Sequence, residues 1–380
     1  MEKIRYGMVG GDLHALIGEV HRKALAFDPR VELVCGSFSA EDDLNIECAD
    51  AYGIPHDRVY YDYKEMAEKE ADKIDFVIVC TPNNLHYSIS KAFLEKGVNV
   101  MCEKPLCFTV EEGEELCAIA KEKDLMFGID YCYTGYSMVK VMKEMVENGD
   151  IGDITAVNCE YIKDDSCSLL VGEVDPTARV WRYDPKISGF SSTCADIGTH
   201  MEHFLGYVTG LKIKRVAATV DRYGENMLDY NNNILVEYEN GVHGAYWFSQ
   251  VIAGKSNEMR MRIYGTKGGL EWEQIRPDRV IWHRVGEASQ RISRSAKNVK
   301  RDYESSSLFR LPYGHPEGYY LCLCNIYRNW INCMLKKKAG IEPDAEDLDW
   351  PHAEAGIEGV KFTKAVIDSA NNDSAWMNVE

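Results

Sequence analysis

Three short clusters in the sequence carry side chains whose types and spacing could do chemistry. Cys102-Glu103-Lys104-Pro105-Leu106 follows an apolar run, Val98–Cys102. A lysine at the end of a buried strand can hydrogen-bond a reacting oxygen and stabilise negative charge on it. A surface lysine ahead of a proline turn would have the same sequence. Asp196-Ile197-Gly198-Thr199-His200 places Asp and His four apart, which on a helix is one face. There a carboxylate can orient an imidazole that accepts a proton; the plainer alternative is an N-capping Asp196 and a half-buried His200. His203 extends the spacing to Asp-x3-His-x2-His, which suits a divalent metal. Nothing else supplies a clear further ligand, so no metal is expected. Thr81-Pro82-Asn83-Asn84-Leu85-His86 follows the apolar run Phe76–Cys80. Its small polar side chains and rigid proline suit a loop crossing a ribose, or equally the cap of the next helix.

A fourth stretch bears on what such residues would face. Gly7–His21 reads GMVGGDLHALIGEVH after the strand-like EKIRY. It sits where a G-x-G-x-x-G loop would hold a dinucleotide pyrophosphate, but Asp12 and Ala15 occupy the second and third glycine places. We read an enlarged loop: Gly10 makes the turn, Gly11 allows close backbone approach, and Gly18 takes over close packing against the helix. Asp12 is then expected to point away from the phosphates or to reach a ribose or backbone donor, with Leu13 beside it. The second strand ends Cys35-Gly36-Ser37-Phe38-Ser39, with acids at 41 to 43. Between Val31 and Tyr63, Arg58 is the one Lys or Arg. An acid at this strand end favours NAD and a cation favours the 2′-phosphate of NADP; the balance here favours NAD, with Ser37 at the ribose.

These residues need elements to position them. Strand patterns at Lys3–Val9, Val31–Phe38, Asp75–Cys80, Val98–Cys102 and Leu125–Asp130 alternate with helical ones at about Ile17–Ala26, Asp42–Tyr52, Asp62–Lys69, His86–Lys96 and Val110–Lys123. That alternation predicts a doubly wound parallel sheet, with ligands at the carboxyl ends of its strands. After about Asp130 the texture changes to β-rich segments at Ile154–Ile162, Ile213–Arg222, Asn233–Tyr238, Val242–Gln250, Met259–Gly265 and Val280–Arg284. Turn pairs such as Asn240-Gly241 and Lys267-Gly268-Gly269 suit an antiparallel sheet. Helices are expected at Val139–Glu147, Thr199–Thr209, Tyr319–Lys336 and Ala353–Ala370, and a polar surface excursion over Glu287–Arg310. The expected fold is α/β: a Rossmann-type dinucleotide-binding domain over 1–130, then an α+β domain over 131–380 for substrate binding and oligomerisation, with a large, mainly antiparallel sheet.

Composition narrows the partners. The net charge of −18, from 43 basic and 61 acidic residues, disfavours nucleic acid and anionic membrane and leaves small, neutral, polar molecules. The longest apolar run, Phe76–Cys80, is too short to cross a bilayer. The N-terminus turns straight into the glycine loop, and the 13 cysteines include several in apolar strand-like runs. The expectation is a cytoplasmic protein with reduced thiols. The β-rich second domain leads us to expect a homo-oligomer.

Taken in order, the Gly-rich turn, TPNNLH, EKP, NGDIGDI (Asn148–Ile154), DIGTH, YGTKGGLEW (Tyr264–Trp272) and Ser374–Val379 resemble the Gfo/Idh/MocA family. That family is named for glucose–fructose oxidoreductase, inositol dehydrogenase and a rhizopine-catabolism protein. The resemblance implies NAD(P)-dependent oxidation or reduction of a secondary alcohol on a sugar, cyclitol or glycoside. It implies that Lys104 hydrogen-bonds the substrate hydroxyl, that His200 is the general base, and that Asp196 orients His200 or the substrate. Gly10, Gly11, Asp12, Leu13, Ser37, Thr81, Pro82, Asn83, His86, Glu103 and Lys104 are the candidates for holding the cofactor. Tyr133, Tyr136, Trp181, Arg182, His200 and His315 are the candidates for the substrate, since a sugar needs a flat apolar face and directional polar groups; core packing is the alternative for each aromatic. Oxidation at ring C3 of a glucoside is the narrowest reading. An NAD-dependent glycosidase of the same fold and a non-catalytic NAD/sugar sensor remain open beside it.

Overall fold

The computed structural model describes residues 3–172, 180–294, 299, 303–312 and 314–380. The chain forms two compact units, one of Met1–Cys132 with Tyr319–Ile357, the other of Tyr133–Gly318 with Glu358–Glu380.

The first unit is built on strands β1 (Ile4–Gly10), β2 (Val31–Ser37), β3 (Phe76–Cys80), β4 (Asn99–Cys102) and β5 (Phe127–Ile129). They pair in parallel in the order β2-β1-β3-β4-β5. The chain leaves β1 towards one edge and returns to β3, so the strand order reverses between β1 and β3, where such folds bind their ligands. Register pairs Gly10 with Cys80 there, bringing the glycine loop and the TPNN loop to the same place. All five residues of β3 are buried, as its continuous apolar sequence requires. Helices α1 (Leu16–Ala26), α2 (Asp42–Tyr52), α3 (Tyr63–Glu70), α4 (His86–Glu95) and α5 (Val110–Glu122) connect the strands.

A boundary placed at 130/131 leaves out the return of Tyr319–Ile357 to this unit. The reason is aromatic burial. In α8 (Tyr319–Lys338), Trp330 is fully buried, with its ring 6.0 Å from Phe76 of β3 and 4.7 Å from Trp350. Burying an aromatic of this size contributes roughly 2–3 kcal/mol. α8 also packs along α1, where the Cys324 thiol reaches the Ala24 carbonyl at 3.4 Å.

The second unit holds a nine-stranded sheet of β6 (Ile154–Ile162), β7 (Ile213–Tyr223), β8 (Leu228–Tyr238), β9 (His243–Ser249), β10 (Glu258–Gly265), β11 (Gly268–Glu273), β12 (Arg279–Arg284), β13 (Gln290–Ser293) and β14 (Met377–Asn378). Its order is β13-β12-β11-β10-β6-β9-β8-β7-β14, and it is antiparallel except for the β6–β9 pair. Helices α6 (Ser137–Glu147) and α7 (Thr199–Thr209) lie within the unit, and α9 (Ala353–Asn371) begins in the first unit and continues in this one.

Two sequence expectations change here. The sequence of Lys267-Gly268-Gly269 predicts a turn between strands, yet Gly268 already belongs to β11. A Cβ on Gly268 would stand 2.1 Å from the His283 carbonyl oxygen, so the glycine marks a close strand approach. The expected excursion Glu287–Arg310 lies partly outside the described residues, and its described part contains β13. All thirteen cysteines are free. Among the described residues, no helix is long and apolar enough to cross a membrane.

Candidate active site

In the first unit the candidate residues gather at the carboxyl ends of β1, β3 and β4. Gly10 and Gly11 both have positive φ, 80° and 77°, which only glycine adopts freely. A Cβ on Gly10 would meet the Cys80 carbonyl oxygen at 2.6 Å, and one on Gly18 would meet Gly11 Cα at 2.3 Å. The loop therefore lies directly on the first turn of α1, and Gly18 is the close-packing glycine. Asp12 closes on its own loop, its carboxylate accepting the His14 N–H at 2.8 Å. Behind it, the Arg22 guanidinium donates to the Gly11 carbonyl at 2.6 Å and stacks 3.8 Å over the Tyr52 ring. Its positive charge sits against the loop that carries Asp12, and Leu13 is exposed beside it. The Thr81 hydroxyl is buried at the same strand ends without a hydrogen-bond partner. A cradle open only to glycine, at the head of a helix and at the switch point, fits a dinucleotide pyrophosphate. Ser37 ends β2, where Asn45 Oδ1 takes the Phe38 N–H at 2.8 Å and shapes the strand end. Arg58 is engaged by Glu70 at 2.5 Å.

His86, a cofactor candidate by sequence, is held between two backbone carbonyls. Its ring is 1% exposed, with Nδ1 2.7 Å from the Pro105 carbonyl and Nε2 2.9 Å from the Thr81 carbonyl. It ties the loop after β3 to the turn after β4. Pro82 and Asn83, by contrast, are only half-buried and lead into that helix.

Lys104 is half-buried on that turn, and its backbone N–H donates to its neighbour Glu103 Oε2 at 3.2 Å. Glu103 belongs to a group the sequence did not reveal. His21 of α1, fully buried, places Nε2 2.9 Å from Glu103 Oε1 and Nδ1 2.6 Å from the Tyr327 hydroxyl of α8. Asp130, 2% exposed, approaches the same His21 nitrogen at 3.7 Å. Burial pushes Asp130 well above the usual carboxylate range, and the Glu103 charge adds to the effect. Burial lowers His21 and raises the Tyr327 phenol. A neutral imidazole and a protonated Asp130 are the forms this environment favours.

In the second unit the DIGTH segment is fixed from below. Asp229 of β8 accepts the backbone N–H groups of Ser192 at 2.7 Å and Cys194 at 2.9 Å, capping the helix from a distant strand. Gln250 takes the Thr193 hydroxyl at 2.9 Å and gives its amide to Asp196 at 2.9 Å. Asp196 and His200 were expected on adjacent turns of a regular helix. Instead Cys194–Gly198 is a π-helical turn running into α7, so the residue-per-turn count changes between them. The Asp196 carboxylate receives Lys163 Nζ at 3.0 Å and Arg182 Nη1 at 3.1 Å. Burial opposes the Lys163 charge, but Asp196 and Asp165, the latter 2.9 Å away, outweigh it and hold the amine above its ordinary range.

His200 is 7% exposed and meets the Tyr133 ring edge-on with centroids 4.8 Å apart. The Tyr133 hydroxyl pairs with that of Tyr161 at 2.9 Å, which donates to Asn257 at 2.7 Å. Tyr136 is buried against Trp272, a packing environment. Trp181 is half-buried with Arg182 over its ring, whereas His315 is exposed, its carbonyl accepting from Arg294. The structure thus joins Tyr133 to His200 and Arg182 to Asp196. It adds Lys163, Gln250 and Asp229, which no local motif marks. Asp196, His200 and His203 do not assemble as metal ligands; among the described residues, His21, Glu103 and Asp130 are the one such group.

A glycine cradle at the switch point of a parallel sheet, flanked by a braced lysine, defines a nicotinamide-dependent oxidoreductase. Comparison with known proteins agrees. Residues 4–131 match the model of the oxidoreductase family with an NAD-binding Rossmann fold, and residues 139–271 match the GFO/IDH/MocA C-terminal domain. The chain belongs to the Gfo/Idh/MocA family and is an NAD(P)-dependent oxidoreductase acting on CH–OH groups. It is 34% identical to the uncharacterized oxidoreductase YfiI of Bacillus subtilis, over 98% of this chain and 96% of that one. It is 31% identical to the D-glucoside 3-dehydrogenase of Escherichia coli, over 69% of this chain and 75% of the relative. The crystal structure of an inositol dehydrogenase homolog complexed with NAD+ from Azotobacter vinelandii superposes with a TM-score of 0.93 at 31% identity, covering 99% of this chain and 97% of that one.

Proposed function

We propose that this protein is an NAD-dependent dehydrogenase that oxidises a secondary ring hydroxyl of a neutral sugar, cyclitol or glycoside. The observation that carries the reading is Lys104, presented from the end of β4 on a turn held by Glu103 and, through Pro105, by His86. Gly10, Gly11 and Gly18 would shape the cradle for NAD, which would supply the acceptor for the hydride of the carbinol carbon. Lys104 hydrogen-bonds the hydroxyl and favours its ionisation, and His200 takes the proton as general base. Tyr133 holds the His200 ring edge-on, and Asp196 fixes Arg182 and Lys163 as hydrogen-bond donors to substrate oxygens. Two cations, Lys163 and Arg182, are matched by two acids, Asp165 and Asp196, which supports an uncharged substrate. For the cofactor form, Arg58 is already taken by Glu70 and no other Lys or Arg lies between Val31 and Tyr63, which supports NAD over NADP.

The likeness to D-glucoside 3-dehydrogenase supports a glucoside oxidised at C3, giving a 3-keto glycoside. Purified protein incubated with NAD and a panel of inositols, free sugars and glycosides tests this by NADH absorbance. Sustained NADH formation without aglycone release is expected. Aglycone release without net NADH would instead indicate a glycosidase working by transient oxidation. Lys104→Ala is expected to bind NAD within about threefold of the parent and to lose at least about a hundredfold in kcat; unchanged turnover in that variant overturns the assignment of Lys104.

A further inference from the structure

The EKP turn is held from both sides by buried histidines that belong to neither of its neighbouring strands. On one side His86 takes the Pro105 carbonyl at 2.7 Å. On the other, His21 takes the Glu103 carboxylate at 2.9 Å, while the second oxygen of that carboxylate receives the Lys104 N–H at 3.2 Å. The path is continuous: Tyr327 hydroxyl, His21 ring, Glu103 carboxylate, Lys104 backbone. It crosses three separate parts of the chain, Tyr327 standing 306 positions and Glu103 82 positions along from His21. Such an arrangement is not needed to fold α1, since a buried apolar side chain would pack there without a polar partner.

We propose that His21, keyed by Tyr327, is a positioning residue for Lys104. The Tyr327 O–H donates to Nδ1, which leaves the proton of the neutral ring on Nε2 facing Glu103. Glu103, held at one oxygen by His21, turns its other oxygen to the Lys104 N–H and fixes the direction in which the lysine leaves the turn. In this role Tyr327, His21 and Glu103 act through Lys104 and not on the substrate. A metal ion bridging His21, Glu103 and Asp130 is the competing occupant. We favour hydrogen bonding because Nε2 and Oε1, at 2.9 Å, already stand at direct hydrogen-bond distance.

The proposal rests on Lys104 being catalytic, and the test separates the two claims. His21→Leu, His21→Gln and Tyr327→Phe are made in the parent and in Lys104→Ala, with kcat, KM, NAD affinity and thermal midpoint recorded. A neutral glutamine can return an N–H near the place of Nε2. In the parent, His21→Leu is expected to lower kcat by about 10- to 100-fold with NAD affinity within about threefold, since a displacement near 1 Å costs that much in rate. His21→Gln is expected to recover most of the loss, and Tyr327→Phe to fall between. In the Lys104→Ala background, His21→Leu is expected to change the residual kcat less than about twofold. An equal loss in both backgrounds, or no recovery by glutamine at matched thermal stability, overturns the positioning role while leaving Lys104 catalytic. Full turnover in Lys104→Ala alone overturns the catalytic lysine instead. Stoichiometric metal in the purified protein by elemental analysis, lost in His21→Leu, also overturns the proposal.

Discussion

Gly18→Ala sets two physical effects of known size against each other. Gly18 has ordinary helical backbone inside α1, so alanine there gains about 1 kcal/mol in helix propensity. The added Cβ, however, would stand 2.3 Å from Gly11 Cα and 3.0 Å from the Gly11 carbonyl carbon and oxygen. These are backbone atoms and no flexible side chain can swing away, so relief requires the glycine loop to move off the helix by about 1 Å. Overpacking of this kind costs about 1–3 kcal/mol, so folding stability should end between unchanged and about 2 kcal/mol lower. The cofactor should suffer more. A loop displaced by that distance would no longer offer its backbone N–H groups to a pyrophosphate in place, an expected loss of about 2 kcal/mol or roughly 30-fold in Kd. The assay is calorimetric titration with NAD beside thermal unfolding. Gly206→Ala in α7 is the control, because its Cβ would meet nothing nearer than the Leu211 carbonyl oxygen at 3.7 Å. That control should gain stability and keep its NAD affinity. If Gly18→Ala behaves like Gly206→Ala, rising in thermal midpoint with Kd within twofold, the reading of Gly18 as the close-packing glycine is refuted.

Asp229→Ala removes the carboxylate that accepts Ser192, Cys194 and the Asn232 amide. It should cost about 2–4 kcal/mol in denaturant unfolding and lower kcat through the DIGTH segment; a cost below about 0.5 kcal/mol would show that the distant cap does not matter. Glu202→Gln should stabilise the protein increasingly as pH rises above about 4.5. Burial, then the Glu358 charge, pushes Glu202 up to about 8 from an ordinary 4.5, and its Oε2 has no hydrogen-bond partner. The native state thus keeps a proton that the unfolded chain releases, so this residue's contribution is full below 4.5, declines as pH rises, and is lost above about 8. The gap in thermal midpoint between variant and parent should widen from pH 5 to pH 8.5, by an amount corresponding to a few kcal/mol; a gap flat in pH would refute it.

What could be read from the sequence was whatever is local. Helix α2 (Asp42–Tyr52), strand β6 (Ile154–Ile162) and helix α7 (Thr199–Thr209) have the boundaries their apolar periodicity predicts. The EKP and DIGTH clusters were visible because each is a contiguous run of chemically distinctive residues. The groups that support them were not, because their meaning lies in pairing across long separations. Tyr327, 306 residues from His21, reads as one more aromatic on an amphipathic helix. Asp229, 35 residues from Cys194, reads as a polar residue in a strand. The π-turn at Cys194–Gly198 is hidden for a different reason: one extra residue per turn leaves the helical composition unchanged while redirecting Asp196. Gly268 is equally ambiguous, since a glycine needed for close approach looks, in sequence, the same as one needed for a turn.

The odd glycine loop follows from the same geometry. Gly18 and His21 lie three residues apart and so on one face of α1. The first lets the loop rest on the helix, and the second grips Glu103 beside Lys104. Arg22, the next residue, donates to the Gly11 carbonyl from behind the loop. A carboxylate at position 12 is tolerable because it is turned back onto the His14 N–H and faces a loop backed by that guanidinium. Shifting the packing glycine from position 15 to 18 moves the contact one helical turn along α1. That shift places the cofactor loop and the lysine turn on adjacent turns of a single rigid element. A substitution that rotates or bends α1 should therefore disturb NAD binding and Lys104 together, whereas one in the TPNN loop should reach Lys104 only through His86.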